Sequence, residues 1–159
     1  GWAWDDVLPY FVMSEHNQRG ADASHGVDGP LKVSDIGAKH ELIEAFIEGA
    51  QQNGVPRTED FNCGDQTGAG YYQLTTWKGW RCSTAKAYLA PARHRQNLHI
   101  ETEAQATGLV MEDARAVGVR YRQNGVMKTA RCRQEVLLAA GAIQSPQLLQ
   151  LAQPALDIV

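Results

Sequence analysis

The chain has 159 residues, 43% of them hydrophobic and 21% charged, with a formal charge of -3. That length excludes a large multidomain machine and predicts one domain or two small ones, with enough apolar residues for a core. The acidic balance supplies no broad positive field, so nucleic acid is not an expected partner, and no apolar run approaches the ~20 residues of a bilayer-crossing helix.

The opening Gly1-Trp2-Ala3-Trp4-Asp5-Asp6 is acidic where a signal peptide is basic, and the expected location is cytoplasmic. Cys63, Cys82 and Cys132 are widely spaced, odd in number and without a C-x-x-C pair, which fits a reducing compartment. Neither they nor the five scattered histidines have metal-ligand spacing, so no metal site is predicted.

Taken in chain order, Asp5 or Asp6 caps a first helix with Val7, Leu8, Phe11 and Val12 on one face, tolerates Pro9 near its first turn and ends before Asn17. Residues 18–30 read as a loop leading into a short strand at Leu31-Lys32-Val33. Leu42, Ile43, Phe46, Ile47 and Ala50 predict a second helix, stopped by Asn53-Gly54 and Pro56. After a polar, Gly-rich stretch, Tyr71 to Thr76 reads as a strand and Trp77-Lys78-Gly79-Trp80 as the turn out of it. Ser83 caps a third helix, which Pro91 stops.

Asn124-Gly125 is the favoured dipeptide of a two-residue type I′ hairpin. With that turn, Val117, Val119 and Tyr121 pair with Cys132, Ala130 and Lys128 on one face, and Arg120, Arg122, Arg131 and Arg133 gather on the other. Leu109 to Met111, reversing through Asp113-Ala114, completes a three-stranded meander. The continuous apolar run from Glu135 to Ala140 has the pattern of a strand buried on both faces in a parallel sheet. Gly141 breaks it, and Ser145-Pro146 starts a helix carrying Leu148, Leu149 and Leu151.

A buried strand, a glycine turn and a helix N-terminus form the arrangement in which α/β proteins hold phosphates, which draws attention to Gly141, although a plain strand-to-helix turn has the same sequence. Gly68-Ala69-Gly70 precedes a strand rather than a helix and fails the context of a dinucleotide fingerprint. No nucleophile elbow or paired-carboxylate signature is present.

Four separated blocks resemble the glucose-methanol-choline family of FAD-dependent oxidoreductases, in particular its bacterial choline dehydrogenase-like alcohol dehydrogenases. They are Trp4-Asp5-Asp6-Val7-Leu8-Pro9-Tyr10-Phe11; His25-Gly26-Val27-Asp28-Gly29-Pro30-Leu31-Lys32-Val33; Arg81 to Ala85 with Ala87-Tyr88-Leu89 and Asn97-Leu98; and Ala140-Gly141-Ala142-Ile143 with Ser145-Pro146-Gln147-Leu148-Leu149. Their order and spacing match over nearly the whole chain. The resemblance implies an α+β fragment, in which residues 1–97 belong to a substrate domain with an antiparallel sheet and flanking helices. Residues 98–159 then contribute the meander, one parallel strand and a helix to an FAD-binding domain.

The family's N-terminal G-x-G-x-x-G turn and its C-terminal catalytic His are not matched in this sequence. No catalytic residue is therefore assigned here, and the chain alone is expected to be inactive. Ala106, where the family commonly has Val, is placed by the resemblance at the adenine, with Ala140, Gly141 and Ala142 also at the FAD. Past Leu149 the family runs Ser-Gly-apolar-Gly, where this chain has Ala152-Gln153-Pro154-Ala155.

The reaction implied is oxidation of a small-molecule alcohol at its CH-OH group, with hydride transfer to the flavin. Gln73 and Thr75 are the candidate substrate-cavity residues, on a strand that equally well faces solvent. The competing reading is a non-catalytic binding module that presents the arginine face of the meander to an acidic partner.

Overall fold

The computed structural model describes residues 1–152. The chain divides into two units, Gly1–Leu98 and a second that begins at His99. Helix and strand are mixed in an α+β arrangement of small sheets.

The first unit opens with helix α1 (Trp4–Ser14). Its cap differs from expectation: Ala3 is the N-cap, and Asp6, in the third helical position, accepts the Ala3 N–H at 3.1 Å. An acidic side chain there satisfies a free donor and complements the helix dipole. Val7, Leu8 and Val12 are half-buried, whereas Phe11 is 63% exposed.

Strand β1 (Glu15–Asn17) follows directly and pairs in parallel with β2 (Leu31–Val33). Between them, Gly26 and Gly29 lie flat against the end of α1. The Asn17 N–H donates to the Gly26 carbonyl at 2.7 Å, and the Gly29 N–H to the Glu15 carbonyl at 2.9 Å. A Cβ at Gly26 would overlap the Val12 carbonyl oxygen, and one at Gly29 the Ser14 carbonyl, which is why the segment needs glycine at both places.

Helix α2 (Glu41–Gln52) has the predicted limits, with His40 accepting the Leu42 N–H at its N-terminus. Only Ile47 of its apolar stripe is buried; Leu42 and Phe46 are 70% and 74% exposed.

The strand expected over Tyr71–Thr76 is largely absent. Leu74 bridges Ser34, and the ladder proper is β3 (Thr76–Trp77) against β4 (Trp80–Arg81). A strand persists only where a neighbour takes its hydrogen bonds, and β2 is too short to offer Tyr71–Gln73 a partner. The Lys78-Gly79 turn has positive φ at both residues, as a type I′ hairpin requires.

Pro91 does not stop the third helix. A π-helical turn (Ala85–Leu89), closed by the Ala90 N–H on the Ala85 carbonyl, runs into α3 (Ala90–Ala92), and Pro91 sits in the first turn of α3, where its missing N–H is tolerated. Cys82 and Ala87 join Ile47 among the buried apolar residues of this unit.

The second unit is the predicted meander, with β5 (Ala104–Glu112), β6 (Arg115–Gln123) and β7 (Val126–Arg131) in antiparallel order. Asn124 and Gly125 have φ of 51° and 78°, and Val119 pairs with Ala130 and Tyr121 with Lys128. The Cys132 N–H reaches the Val117 carbonyl at 2.9 Å. Register shifts in the β5–β6 ladder leave Thr107 unpaired between Ala106 and Gly108, with its hydroxyl donated to the Arg120 carbonyl.

Residues 135–140 do not form the expected parallel strand. No described strand pairs with them, and they alternate between exposed and half-buried, with Leu137 82% exposed. An apolar run becomes a doubly buried strand only between two other strands, and neither is present among the described residues. Helix α4 (Gly141–Ala152) begins five residues before Pro146, the predicted first helical residue, which therefore lies inside it. Gly141, at φ 87°, turns the chain into the helix, and Ser145 Oγ accepts the Ala140 N–H at 3.0 Å. α4 packs on β5 and buries Leu148 and Ala152, one turn apart, while Leu109 of β5 is buried in the same unit. The departure from the family pattern at Gln153-Pro154-Ala155 lies outside the described residues.

Candidate functional site

The first unit contains a cleft of about 650 Å³. Trp4, Leu8 and Phe11 of α1 form one side, Leu31 and Val33 of β2 another, and Phe61 and Asn62 a third, with Glu15 and His25 among its polar lining. The walls are mostly apolar, and the charged groups converge on His25, the combination that small-molecule sites favour.

His25 is only 5% exposed, and its ring nitrogens contact two carboxylates: Nδ1 lies 2.8 Å from Glu15 Oε2 and Nε2 lies 2.9 Å from Asp60 Oδ2. Asn17, 3% exposed, supports this cluster. Its Oδ1 accepts the Arg19 backbone N–H at 2.9 Å, which fixes the orientation of the amide. Its Nδ2 then lies 3.2 Å from Glu15 Oε1, 2.9 Å from Gln73 Oε1 and 3.1 Å from His25 Nδ1. Gln73 Nε2 donates to Asp35 Oδ1 at 3.0 Å, and Arg19 Nε donates to the same oxygen at 2.7 Å. Asp60 is itself held, since its Oδ1 accepts the Asn62 N–H at 2.7 Å.

Burial pulls the proton affinity of His25 down. The hydrogen bond and charge of Glu15, with the charges of Asp60 and Asp22, outweigh that effect and hold its pKa above the ordinary 6.5. The two ring nitrogens face different carboxylates, Glu15 on β1 and Asp60 in a loop, so the cluster offers no common point for a cation. Among the described residues no group of three His, Cys, Asp or Glu side chains can hold a metal.

The residues selected from sequence fall in different places. Gln73 belongs to the buried network, with its amide engaged by Asn17 and Asp35. Thr75 is exposed, and its carbonyl accepts the Cys82 N–H. Ala106 is an exposed residue of β5, an outer strand of its sheet. Ala140, Gly141 and Ala142 lie at the start of α4, with Gly141 and Ala142 exposed. The Ala140 N–H is already taken by Ser145.

Glu15, Asn17 and Asp60 were not singled out from sequence. The available signal was Glu15-x-Asn17, two polar side chains on one side of a short strand directly after an amphipathic helix. Nothing local pointed to Asp60, which reaches His25 across 35 positions. On the meander, Arg131 pairs with Glu112 at 2.6 Å and Arg122 bonds Gln105, so part of the arginine face is internally engaged.

Residues 1–152 match the family model described as GMC oxidoreductase, and the chain belongs to that family. It is 45% identical to human mitochondrial choline dehydrogenase over 152 residues, 96% of this chain and 26% of that protein. It is 48% identical to an oxygen-dependent choline dehydrogenase of Chromohalobacter salexigens over 151 residues, 94% of this chain and 27% of that protein. Among solved structures, pyridoxine 4-oxidase from Mesorbium loti superposes with a TM-score of 0.82 at 32% identity, covering 95% of this chain and 30% of that one. An FAD-dependent oxidoreductase from Chaetomium thermophilum shares the fold with a TM-score of 0.84 at 22% identity. The chain thus spans about a quarter of the length of the curated relatives it matches. The family match and the relatives above 30% identity favour the oxidoreductase reading over the non-catalytic module.

Proposed function

We propose that the full-length protein carrying this chain is an FAD-dependent oxidoreductase that removes two electrons and two protons from the CH-OH group of a small alcohol. The observation that carries this reading is the 40–48% identity to choline dehydrogenases along almost all of the chain. Choline is accordingly the first substrate to test.

The second unit has groups that suit the cofactor. The first N–H groups of an α-helix have no intrahelical acceptor, and Gly141 and Ala142 are exposed at that position in α4. Ala106 lies on an outer strand whose backbone is open on one side. These residues, with Ala140 beside them, would hold part of the FAD through main-chain contacts. Bound flavin supplies the two-electron acceptor chemistry that no amino-acid side chain offers.

The first unit would provide the substrate side. Apolar side chains line the cleft, and the network around His25 fixes its polar base. Of the two candidate substrate residues, neither is part of the cleft lining: Thr75 is exposed, and the Gln73 amide is shared with Asn17 and Asp35, so Gln73 bears on the cleft through Asn17. Two units with these separate roles correspond to a substrate-domain portion and an FAD-domain portion. Cys63, Cys82 and Cys132 are all free thiols, which supports a cytoplasmic location. No helix among the described residues is long and apolar enough to cross a membrane.

The test is expression of the full-length protein, identification of its released cofactor, and assay of choline and a panel of primary alcohols with an artificial electron acceptor and with oxygen. Copurified FAD with alcohol-dependent acceptor reduction is expected. A protein without flavin, or an FAD protein that oxidises none of these alcohols, would contradict the reading.

A further inference from the structure

We propose that His25 is a positioning residue: held as an imidazolium between Glu15 and Asp60, it ties strand β1 to the loop that forms one wall of the cleft. The protonation of the ring follows from the hydrogens available around it. The Asn17 amide is oriented by the Arg19 backbone N–H, so Nδ2 is its donor, and Nδ2 has two hydrogens. Glu15 Oε1 and Gln73 Oε1 are acceptors within reach of it and use both. None is left for His25 Nδ1, which therefore carries its own proton toward Glu15 Oε2. Nε2 faces a carboxylate oxygen of Asp60 and carries the other.

The charged groups around the ring come from each segment packed on it. Glu15 lies on β1, Asp22 in the loop before His25 and Asp60 in the loop across from it. The nearby cation Arg19 is engaged by Asp35 and the Glu59 carbonyl. Two carboxylates thus contact the cationic ring, and a third, Asp22, accepts the backbone N–H of the same residue. Removing one ring proton would set a lone pair against a carboxylate oxygen, turning an attraction into a repulsion. Phe61 and Asn62 follow Asp60 directly and line the cleft, so the wall depends on the ring's charge. A ring with both nitrogens protonated has no lone pair to accept a substrate proton, which separates this role from that of a catalytic base. The tie is independent of what the cleft binds.

Nitrogen-15 labelling of the histidines in the full-length protein tests the proposal, with the His25 ring signals assigned by their loss in His25→Gln. Both ring nitrogens are expected to be protonated at pH 6, and Asp60→Asn is expected to lower the ring's midpoint by roughly one pH unit, a tenfold loss of proton affinity. Amide exchange at residues 58–62, corrected for intrinsic rates, is expected to be about tenfold faster in His25→Gln than in the wild type at pH 6. If His25→Gln does not fold, Asp60→Asn provides the same exchange comparison. A singly protonated ring at pH 6, a midpoint unmoved in Asp60→Asn, or variant exchange equal to wild type would overturn the proposal.

Discussion

His25 and Asp60 meet at 2.9 Å although 35 positions separate them, and the imidazole is 5% exposed. The raised pKa of His25 means that the folded state binds a proton more tightly than the unfolded chain, whose histidine titrates near 6.5. The resulting stabilisation is fully present below pH 6.5 and is lost as pH rises through the folded-state value. The melting-temperature difference between wild type and His25→Gln should therefore be largest near pH 6 and shrink at alkaline pH. A difference that grows with pH would contradict this sign.

Gly26→Ala places a methyl group on the Val12 carbonyl oxygen, a backbone atom that cannot rotate away. Overpacking of this kind costs about 1–3 kcal/mol, and the displaced loop carries His25 with it. Urea unfolding should show a lower midpoint for Gly26→Ala, accompanied by faster exchange at residues 58–62. A midpoint equal to wild type would contradict the close approach of the loop to α1.

Asn124 holds φ 51° at the β6–β7 turn. Replacing it with a β-branched residue such as valine should destabilise the meander by about 1–2 kcal/mol, whereas Asn124→Gly should be nearly neutral. Equal stability of the two variants by thermal unfolding would place the turn elsewhere.

Much of this fold was legible because local chemistry determined it. Asn124-Gly125 set the hairpin and with it the register of Val119 on Ala130, and the spacing from Leu42 to Ala50 set α2. The misses share one cause, that strands depend on partners. Residues 135–140 have the composition of a buried strand and no strand beside them, and Tyr71–Gln73 lack a neighbour, while Glu15–Asn17 became a strand only because Leu31–Val33 lies alongside. Two prolines were also misjudged: Pro91 lies in the first turn of α3, where its missing donor is tolerated, and Pro146 lies inside α4 rather than at its start. The segment His25-Gly26 to Gly29 stood out in the sequence only as a block of family resemblance, not as a site, and Glu15, Asn17 and Asp60 acquire their roles only when folding brings them to His25.

Large apolar side chains stand open on both units: Phe11 and Phe46 on the first, at 63% and 74% exposure, and Leu137 and Ile143 on the second, at 82% and 84%. Single exposed residues are ordinary, but apolar side chains exposed in this number favour association. The 159-residue chain produced by itself should self-associate, seen as a concentration-dependent rise in scattered light. A clean monomer at high concentration would show that these faces need no cover.

The same isolated chain should bind FAD weakly. It contains no G-x-G-x-x-G turn for the pyrophosphate, and a few main-chain contacts near Ala106 and Gly141 at about 1 kcal/mol each fall short of the several kcal/mol lost on immobilising a ligand. Titration followed by flavin fluorescence should show little quenching. Tight quenching would mean that the cofactor contacts in this segment are more complete than described.

The most direct measurement is anaerobic mixing of the purified full-length protein with choline while the visible absorption of its flavin is followed. The account predicts copurified FAD whose absorption bleaches on addition of choline or another primary alcohol and returns when an electron acceptor is admitted. A bound flavin that stays oxidised in excess of every alcohol tested would contradict it.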